Sequence, residues 1–224
     1  MDRRNFTKFA LSGLAFSFMS DSMGRAALPT PAQPMTAPPV PSVAATARVV
    51  PATPYAALLE RAKSALDHHA AAFPLRDRIA IVDFDAPSKD MRMHIVDLIG
   101  GQTSSYLVSH GRGSDPAHSG WLHSFSNEFE SLASSSGAFR TGEPYVGQHG
   151  RSMRLAGLDP QNSNAEARAI VIHGADYVSE DHVAAWGKCG RSEGCFAVAP
   201  HIVPQVLGML GTGRMLYADK IGNG

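Results

Sequence analysis

The chain has 224 residues with 20 Lys+Arg against 20 Asp+Glu, so its formal charge is zero and the basic surplus that marks a polynucleotide binder is absent. Charged residues make up 18% and apolar residues 44%, and the part beyond residue 54 is long enough for one domain with a sizeable core but not for two. Arg3, Arg4, Lys8, Arg25 and Arg48 all fall in the first 54 residues against Asp2 and Asp21, which leaves the remainder mildly acidic.

The amino terminus reads as an address. Arg3 and Arg4 precede Asn5-Phe6-Thr7-Lys8, twelve uncharged residues run from Phe9 to Ser20, and Gly24-Arg25-Ala26 offers small residues around a cleavage point. The apolar run is shorter than the roughly 20 residues a hydrocarbon core needs. Residues 1–26 are therefore expected to be an export signal, and the Arg-Arg-x-Phe-x-Lys opening resembles the twin-arginine type. The expected compartment is the bacterial periplasm, with no membrane span left once the signal is removed. Because that route implies folding before export, the fold should not depend on a disulfide formed outside. Eight of the 15 prolines lie between Pro29 and Pro54 among Ala, Thr and Val. Such a composition favours extended, unpacked backbone, so 27–54 reads as a linker and 55–224 as the working domain.

Within that domain Leu58, Leu59, Ala62, Ala65, Leu66 and Ala70 recur at spacings of three and four ahead of Pro74, which predicts an amphipathic helix over 55–73. The period then shortens. Residues 78–84, 91–98 and 104–108 read as strands separated by turns at 85–88 and at Gly100-Gly101, and connections this short predict an antiparallel meander. Further strands are expected at 153–158 and 169–172, a helix at 200–210 and a closing strand at 214–218. The fold class is mostly β, a β-rich α+β domain with few helices and one at its N-terminus. Between His110 and Gly150 a Ser-, Gly- and His-rich stretch of weak periodicity reads as a long loop system facing a substrate.

Two cysteines, Cys189 and Cys195, cannot build a disulfide framework and make a poor structural zinc site. Cys195 lies between the glycine-bearing turn Gly190-Arg191-Ser192-Glu193-Gly194 and the apolar run Phe196-Ala197-Val198, a position that holds a thiol at the end of a strand with backbone N–H groups nearby. A nucleophilic cysteine needs a base or positive partner, and donors for the oxyanion it creates. Val171-Ile172-His173-Gly174 supplies an imidazole at the exit of an apolar strand, where Gly174 lets backbone turn closely. The competing reading is that Cys195 is a small buried hydrophobe. Cys189 is read as either a resolving thiol or an inert neighbour.

His173-Gly174 followed by Ser192-Glu193-Gly194-Cys195 resembles the catalytic signature of the L,D-transpeptidases, the YkuD-like cysteine enzymes that cross-link peptidoglycan. The likeness runs from about Arg78 to Ala199. It takes in Ser109-His110-Gly111-Arg112-Gly113-Ser114, Phe125-Ser126-Asn127, Gly147-Gln148-His149-Gly150 and Leu155-Ala156-Gly157-Leu158, which look like the murein transpeptidase branch named YkuD-2. The resemblance implies a mixed β-sandwich or barrel. It implies Cys195 as nucleophile, His173 as base, a backbone carbonyl near Gly174 or Arg191 to orient the imidazole, and backbone N–H groups of Gly194 and Cys195 as oxyanion donors. Peptidoglycan stem peptides would be donor and acceptor, a diaminopimelate amine would receive the acyl group, and a carbapenem-type β-lactam is a candidate covalent inhibitor. Cleavage at the third residue of the stem, giving 3-3 cross-links, is the usual choice of the family. The first L-to-D junction, giving 1-3 cross-links, and hydrolytic trimming are the alternatives.

Two departures stand out. Glu193 occupies a position where many members have histidine, and Phe196-Ala197 replaces an apolar residue followed by arginine. The usual carboxylate-binding arginine is thus missing, and Arg191 is read either as its substitute, through a bidentate grip, or as a brace for its own loop. Ser192, His110 and Tyr177 complete the residues expected to face substrate.

Two further readings compete. A zinc-dependent murein peptidase would use some of His110, His118, His123, His149 and His173, but no HxH or HExxH spacing is present, and His118 and His123 have no obvious third ligand. Neither a metal nor another cofactor is expected. A noncatalytic wall-binding module would need aromatic platforms in repeats, whereas two Trp and five Tyr occur without one. Trp121, Tyr145, Tyr177 and Trp186 either line a cleft or pack as ordinary side chains.

Overall fold

A computed structural model describes residues 52–222. The export signal expected over 1–26 lies outside the described residues, as does the linker expected over 27–54 except for its last three positions. There the backbone is already helical, because α1 spans Ala52–His68. A 3-10 turn over Ala70–Ala72 follows, and extended Phe73 ends the run ahead of Pro74, as the clash of a proline with helical backbone before it requires. No helix among the described residues is long and apolar enough to cross a membrane.

Eight strands follow: β1 (Arg78–Asp83), β2 (Met93–Asp97), β3 (Thr103–Tyr106), β4 (Gly137–Gly147), β5 (Gly150–Gly157), β6 (Val171–Gly174), β7 (Phe196–Val198) and β8 (Met215–Asp219). Among the described residues two more α-helices occur, α2 (Glu180–Trp186) between β6 and β7 and α3 (Val203–Leu210) before β8. The strands form one sheet in the order β3-β2-β1-β8-β4-β5-β6-β7. β1, β2 and β3 make the antiparallel meander that their short turns predict. β8 lies parallel to β1 and antiparallel to β4. At the far edge β6 and β7 are parallel. The fold is therefore the mixed, β-rich architecture with few helices that the sequence implies.

Alternation along β1 divides the core in two. Ile79 and Ile81 pack with Leu58, Ala62 and Leu66 of α1, which fall on one helix face at four-residue spacing. Ala80 and Val82 face a larger cluster with Met93, Ile95, Phe139, Met153 and Phe196, closed by Val206, Leu207 and Leu210 of α3. With both faces covered, β1 reads as a continuous apolar run. Burying each Leu or Ile is worth roughly 1.5–3 kcal/mol, so packing rather than intrinsic propensity holds these short helices on the sheet.

The stretch from 110 to 150 is not loop throughout. Its second part is β4, an 11-residue strand whose pairing with β5 shifts register between Thr141 and Pro144. Gly137, Gly142, Pro144 and Gly147 interrupt the alternation that would betray a strand in sequence, and the bulge bends the hairpin. The turn joining β4 to β5 carries His149 against β6, where its ring meets His173.

Candidate active site

The parallel register of β6 and β7 sets Ile172 opposite Phe196 and His173 opposite Ala197. One residue earlier, Cys195 at the entrance to β7 comes opposite Val171. Side chains alternate along a strand, so Cys195 and His173 project from the same face of the sheet, two residues out of step. His173 thus sits within β6 and Cys195 in the bend immediately before β7.

His173 is buried, and its Nδ1 lies 2.9 Å from the carbonyl oxygen of Gly174. A carbonyl only accepts, so Nδ1 carries the proton and Nε2 remains the basic nitrogen. Of the two carbonyls the resemblance left open, Gly174 is the one that orients the ring. Burial lowers the His173 pKa, the Gly174 bond opposes this, and neighbouring His149 lowers it further. The imidazole is neutral at neutral pH, the form a general base needs. The His149 ring stacks on it with centroids 4.3 Å apart.

Cys195 is partly exposed, and its thiol points to the carbonyl oxygen of Ala169 at 3.6 Å rather than to His173. Burial raises its pKa, while a backbone hydrogen bond from Val171 and the charge of Arg168 lower it and Glu193 raises it again. With the thiol pKa raised and the imidazole pKa lowered, both groups are uncharged at neutral pH.

The turn before the cysteine depends on glycine. Gly194 has φ +112, and a Cβ there would stand 2.7 Å from the carbonyl oxygen of Ala133. Its N–H donates to the Ser192 hydroxyl at 3.2 Å, and that hydroxyl donates to the Cys195 carbonyl at 2.7 Å. Ser192 is buried. It shapes the turn rather than meeting substrate, and the Gly194 N–H is free for an oxyanion only after leaving the Ser192 oxygen. The Ser192 backbone bonds to the His110 carbonyl and to the Arg112 N–H, which latches this turn to 110–112. Gly111 approaches so closely that a Cβ would sit 2.3 Å from the Leu132 carbonyl and 2.8 Å from the Gly194 nitrogen.

His110 does not face substrate. It is fully buried, with Nδ1 accepting from Arg92 at 2.7 Å and Nε2–H donating to Asp115 at 3.3 Å. Burial pushes its pKa to about 4, so it is a neutral strut. Burial works to raise the Asp115 pKa, but hydrogen bonds from Ser119, Gly120 and His110 prevail and hold it at about 2. Arg92, also buried, donates to the carbonyls of Val108 and Ala86 and lies 5.0 Å from the centre of the Phe84 ring. Arg191 joins this scaffold: its Nη1 donates to the carbonyls of Asp115 and Pro116. The brace, not the free grip, is the arrangement present.

Tyr177 borders a cavity of about 580 Å³ together with His149, Arg151, His173 and Asp176. Sequence reasoning overlooked Arg151, whose one signal is its place beside the His149-Gly150 turn. Its guanidinium makes no hydrogen bond or ion pair among the described residues. Cys189 is buried and donates to the Ser88 carbonyl at 2.9 Å, and burial pushes its pKa up to about 11, which fits the inert reading. His118 donates to the Cys189 carbonyl and His123 pairs with the Ser119 hydroxyl. Among the described residues no three or more of His, Cys, Asp and Glu are grouped to hold a metal ion. Trp121 and Trp186 are exposed and do not border this cavity.

Solved structures similar to the chain include the L,D-transpeptidase LdtMt1 in complex with imipenem, at 11% identity and TM-score 0.40 over 64% of this chain and 59% of that one. An L,D-transpeptidase from Mycobacterium smegmatis matches at 12% identity and TM-score 0.40 over 64% and 58%. The helical cell shape determining protein Pgp2 from Campylobacter jejuni matches at 11% identity and TM-score 0.43 over 67% and 49%. The chain thus spans less than two thirds of the length of each. No curated protein sequence matches it. The family model of the L,D-transpeptidase catalytic domain, YkuD_2, matches residues 53–218, most of the chain, and the protein belongs to that family.

Proposed function

We propose that the protein is an exported peptidoglycan L,D-transpeptidase of the periplasm, in which Cys195 forms a thioester at an L-to-D bond of a stem peptide and His173 moves the protons. The observation that carries this reading is the common face of Cys195 and His173 on the parallel β6–β7 pair, with His173 Nδ1 tied to Gly174 so that Nε2 is basic. The twin-arginine-like opening supports export, with 1–26 as signal and 27–54 as tether to the catalytic domain.

In the first half-reaction the Cys195 sulfur leaves the Ala169 carbonyl, gives its proton to His173 Nε2 and attacks the carbonyl carbon of the L-residue. Backbone N–H groups of Gly194 and Cys195 receive the oxyanion, the former after releasing Ser192. The C–N bond breaks and the imidazolium protonates the departing D-residue amine, leaving a thioester and neutral His173. In the second half-reaction a diaminopimelate amine attacks the thioester carbonyl and loses a proton to Nε2. The thiolate departs, recovers that proton, and a new amide remains. Water in place of the amine gives trimming.

Cleavage at the third-residue junction, giving 3-3 cross-links, is the favoured outcome. The test is mass spectrometry of muropeptides after incubation of the protein with defined tri-, tetra- and pentapeptide stems. Release of D-Ala from tetrapeptides with formation of dimers is the expected result. A fragment beginning at D-Glu would instead assign the first junction and 1-3 cross-links, and shortened stems without dimers would assign carboxypeptidase activity.

A further inference from the structure

We propose that Arg168 is a positioning residue for the nucleophile: its guanidinium fixes the segment 126–135 against the Gly194 turn and sets its positive charge against that turn, one residue before Cys195. The proposal rests on Cys195 being the nucleophile and adds how this chain favours the thiolate.

Arg168 lies three residues ahead of β6. Its Nη1 donates to the Ser126 carbonyl and the Ser135 hydroxyl, each at 2.8 Å. Its Nη2 donates to the Ala133 carbonyl at 2.6 Å and the Ser131 hydroxyl at 3.2 Å. Both terminal nitrogens therefore have two partners, and the guanidinium has no free fork to offer a substrate carboxylate. It acts through position and charge.

The segment it holds forms one wall of the nucleophile turn. A Cβ on Gly194 would stand 2.7 Å from the Ala133 carbonyl oxygen and 3.3 Å from Arg168 Nη2 itself. The Ser134 hydroxyl accepts from the Gly111 N–H and reaches the Gly194 carbonyl at 3.5 Å. One side chain thus joins the wall, the turn and the approach to β6.

The next residue, Ala169, has φ +56, a left-handed conformation that is strained for an L residue and persists only where its surroundings impose it. In that conformation its carbonyl oxygen faces Cys195 Sγ at 3.6 Å. A thiol donates to a carbonyl and a thiolate is repelled by one, so ionisation releases the sulfur from Ala169. Burial raises the Cys195 pKa, and the Val171 N–H and Arg168 work against it in favour of the anion. Glu193 opposes it but is itself paired with Arg112 at 2.8 Å. Burial lowers the His173 pKa and pushes that of Tyr177 up to about 12, so both are neutral at neutral pH.

The experiment is the pH dependence of Cys195 alkylation by iodoacetamide, read by intact mass on the full chain carrying Cys189→Ala, with acyl transfer measured alongside. Arg168→Gln should raise the midpoint of alkylation by roughly half to one pH unit and slow labelling at neutral pH about three- to tenfold. Arg168→Lys should restore the midpoint while transfer stays depressed, because an ammonium keeps the charge and lacks the fork. A wild-type midpoint in Arg168→Gln, or failure of the lysine to restore it, overturns the proposal. Ser131→Ala with Ser135→Ala loosens the wall and keeps the cation, so it should leave the midpoint in place even if Arg168→Gln does not fold. A shift there as large as a full pH unit makes the role purely structural and also overturns it. Unreactive Cys195 in the folded protein at every pH would defeat the nucleophile assignment itself, an outcome separate from reactive Cys195 that ignores Arg168.

Discussion

The ring of His149 lies on the ring of His173, with centroids 4.3 Å apart and planes inclined by 26°. It comes from the β4–β5 turn, so the hairpin screens the candidate base from water. Burial, to which the stacked ring adds, pushes the His173 pKa down, and the His149 charge lowers it further. Replacing His149 by Ala should therefore raise that pKa and move the acid limb of the kcat/KM profile to higher pH. His149→Phe preserves the stacked ring but not the charge, so it should move the acid limb less far than His149→Ala does. Identical acid limbs in wild type and His149→Ala would show that the stack does not tune the base.

A strained carbapenem ring presents an acyl group that a thiolate can open to a stable thioester. One adduct should form on Cys195, visible as a single mass increment that is lost in Cys195→Ala and retained in Cys189→Ala. The buried Cys189, held near the Ser88 carbonyl with its pKa pushed up to about 11, should stay unlabelled. Labelling of Cys189 with Cys195 untouched would reverse the assignment.

The meander was readable because β1 is an apolar run that stops at the turn residues 85–88 and β2 one that stops before Gly100-Gly101, and Cys195 and His173 drew attention because each abuts a short apolar run. β4 escaped notice since Gly142 and Pro144 fall at its register shift. The same locality explains the misreading of His110. A histidine in a Gly/Ser-rich stretch reads as exposed, and nothing nearby in sequence announces that Arg92, 18 residues earlier, will be buried against it. Arg168 likewise finds its partners 33 to 42 residues away. Pairings across that distance are fixed by the sheet order, and periodicity carries no trace of them.

The buried His110–Asp115 pair should make the fold sensitive to acid. The folded-state pKa of His110 is depressed to about 4, below the ordinary imidazole value, so its contribution to stability is complete above about pH 6.5 and is lost as pH falls toward 4. Asp115, depressed to about 2, adds a loss at still lower pH, below the ordinary carboxyl value. Urea unfolding should show wild type losing roughly 2–3 kcal/mol more than His110→Gln between pH 7 and 4, because the Gln amide does not titrate. His94, also lowered to about 4 by burial, is present in both proteins and cancels from the difference. Equal slopes in the two proteins would remove His110 as the source.

Arg191 and Arg151 should separate scaffold from specificity. Arg191 is committed to the Asp115 and Pro116 carbonyls, so Arg191→Ala takes the donor from one part-buried and one exposed acceptor and loosens the 115–116 loop against the nucleophile turn. Its loss should cost roughly 1–3 kcal/mol of stability and depress transfer from every stem to a similar degree. Arg151 borders the cavity of His173 and Tyr177 without a partner among the described residues, and under the proposed function a stem peptide would bring carboxylates to that cavity. A guanidinium–carboxylate contact is worth roughly 1.5–3 kcal/mol, so Arg151→Ala should lose about ten- to a hundredfold in kcat/KM with little change in unfolding free energy. The loss should be largest on the stem whose carboxylate the residue meets, and Arg151→Lys should recover only part of it, since a lysine cannot bind bidentately. Comparing tri-, tetra- and pentapeptide donors, with a diaminopimelate amide in place of the free carboxylate as control, reads the contact directly. If Arg191→Ala discriminates among stems and Arg151→Ala does not, the grip belongs to the 115–116 loop after all, and Arg191 must leave its carbonyls when substrate binds.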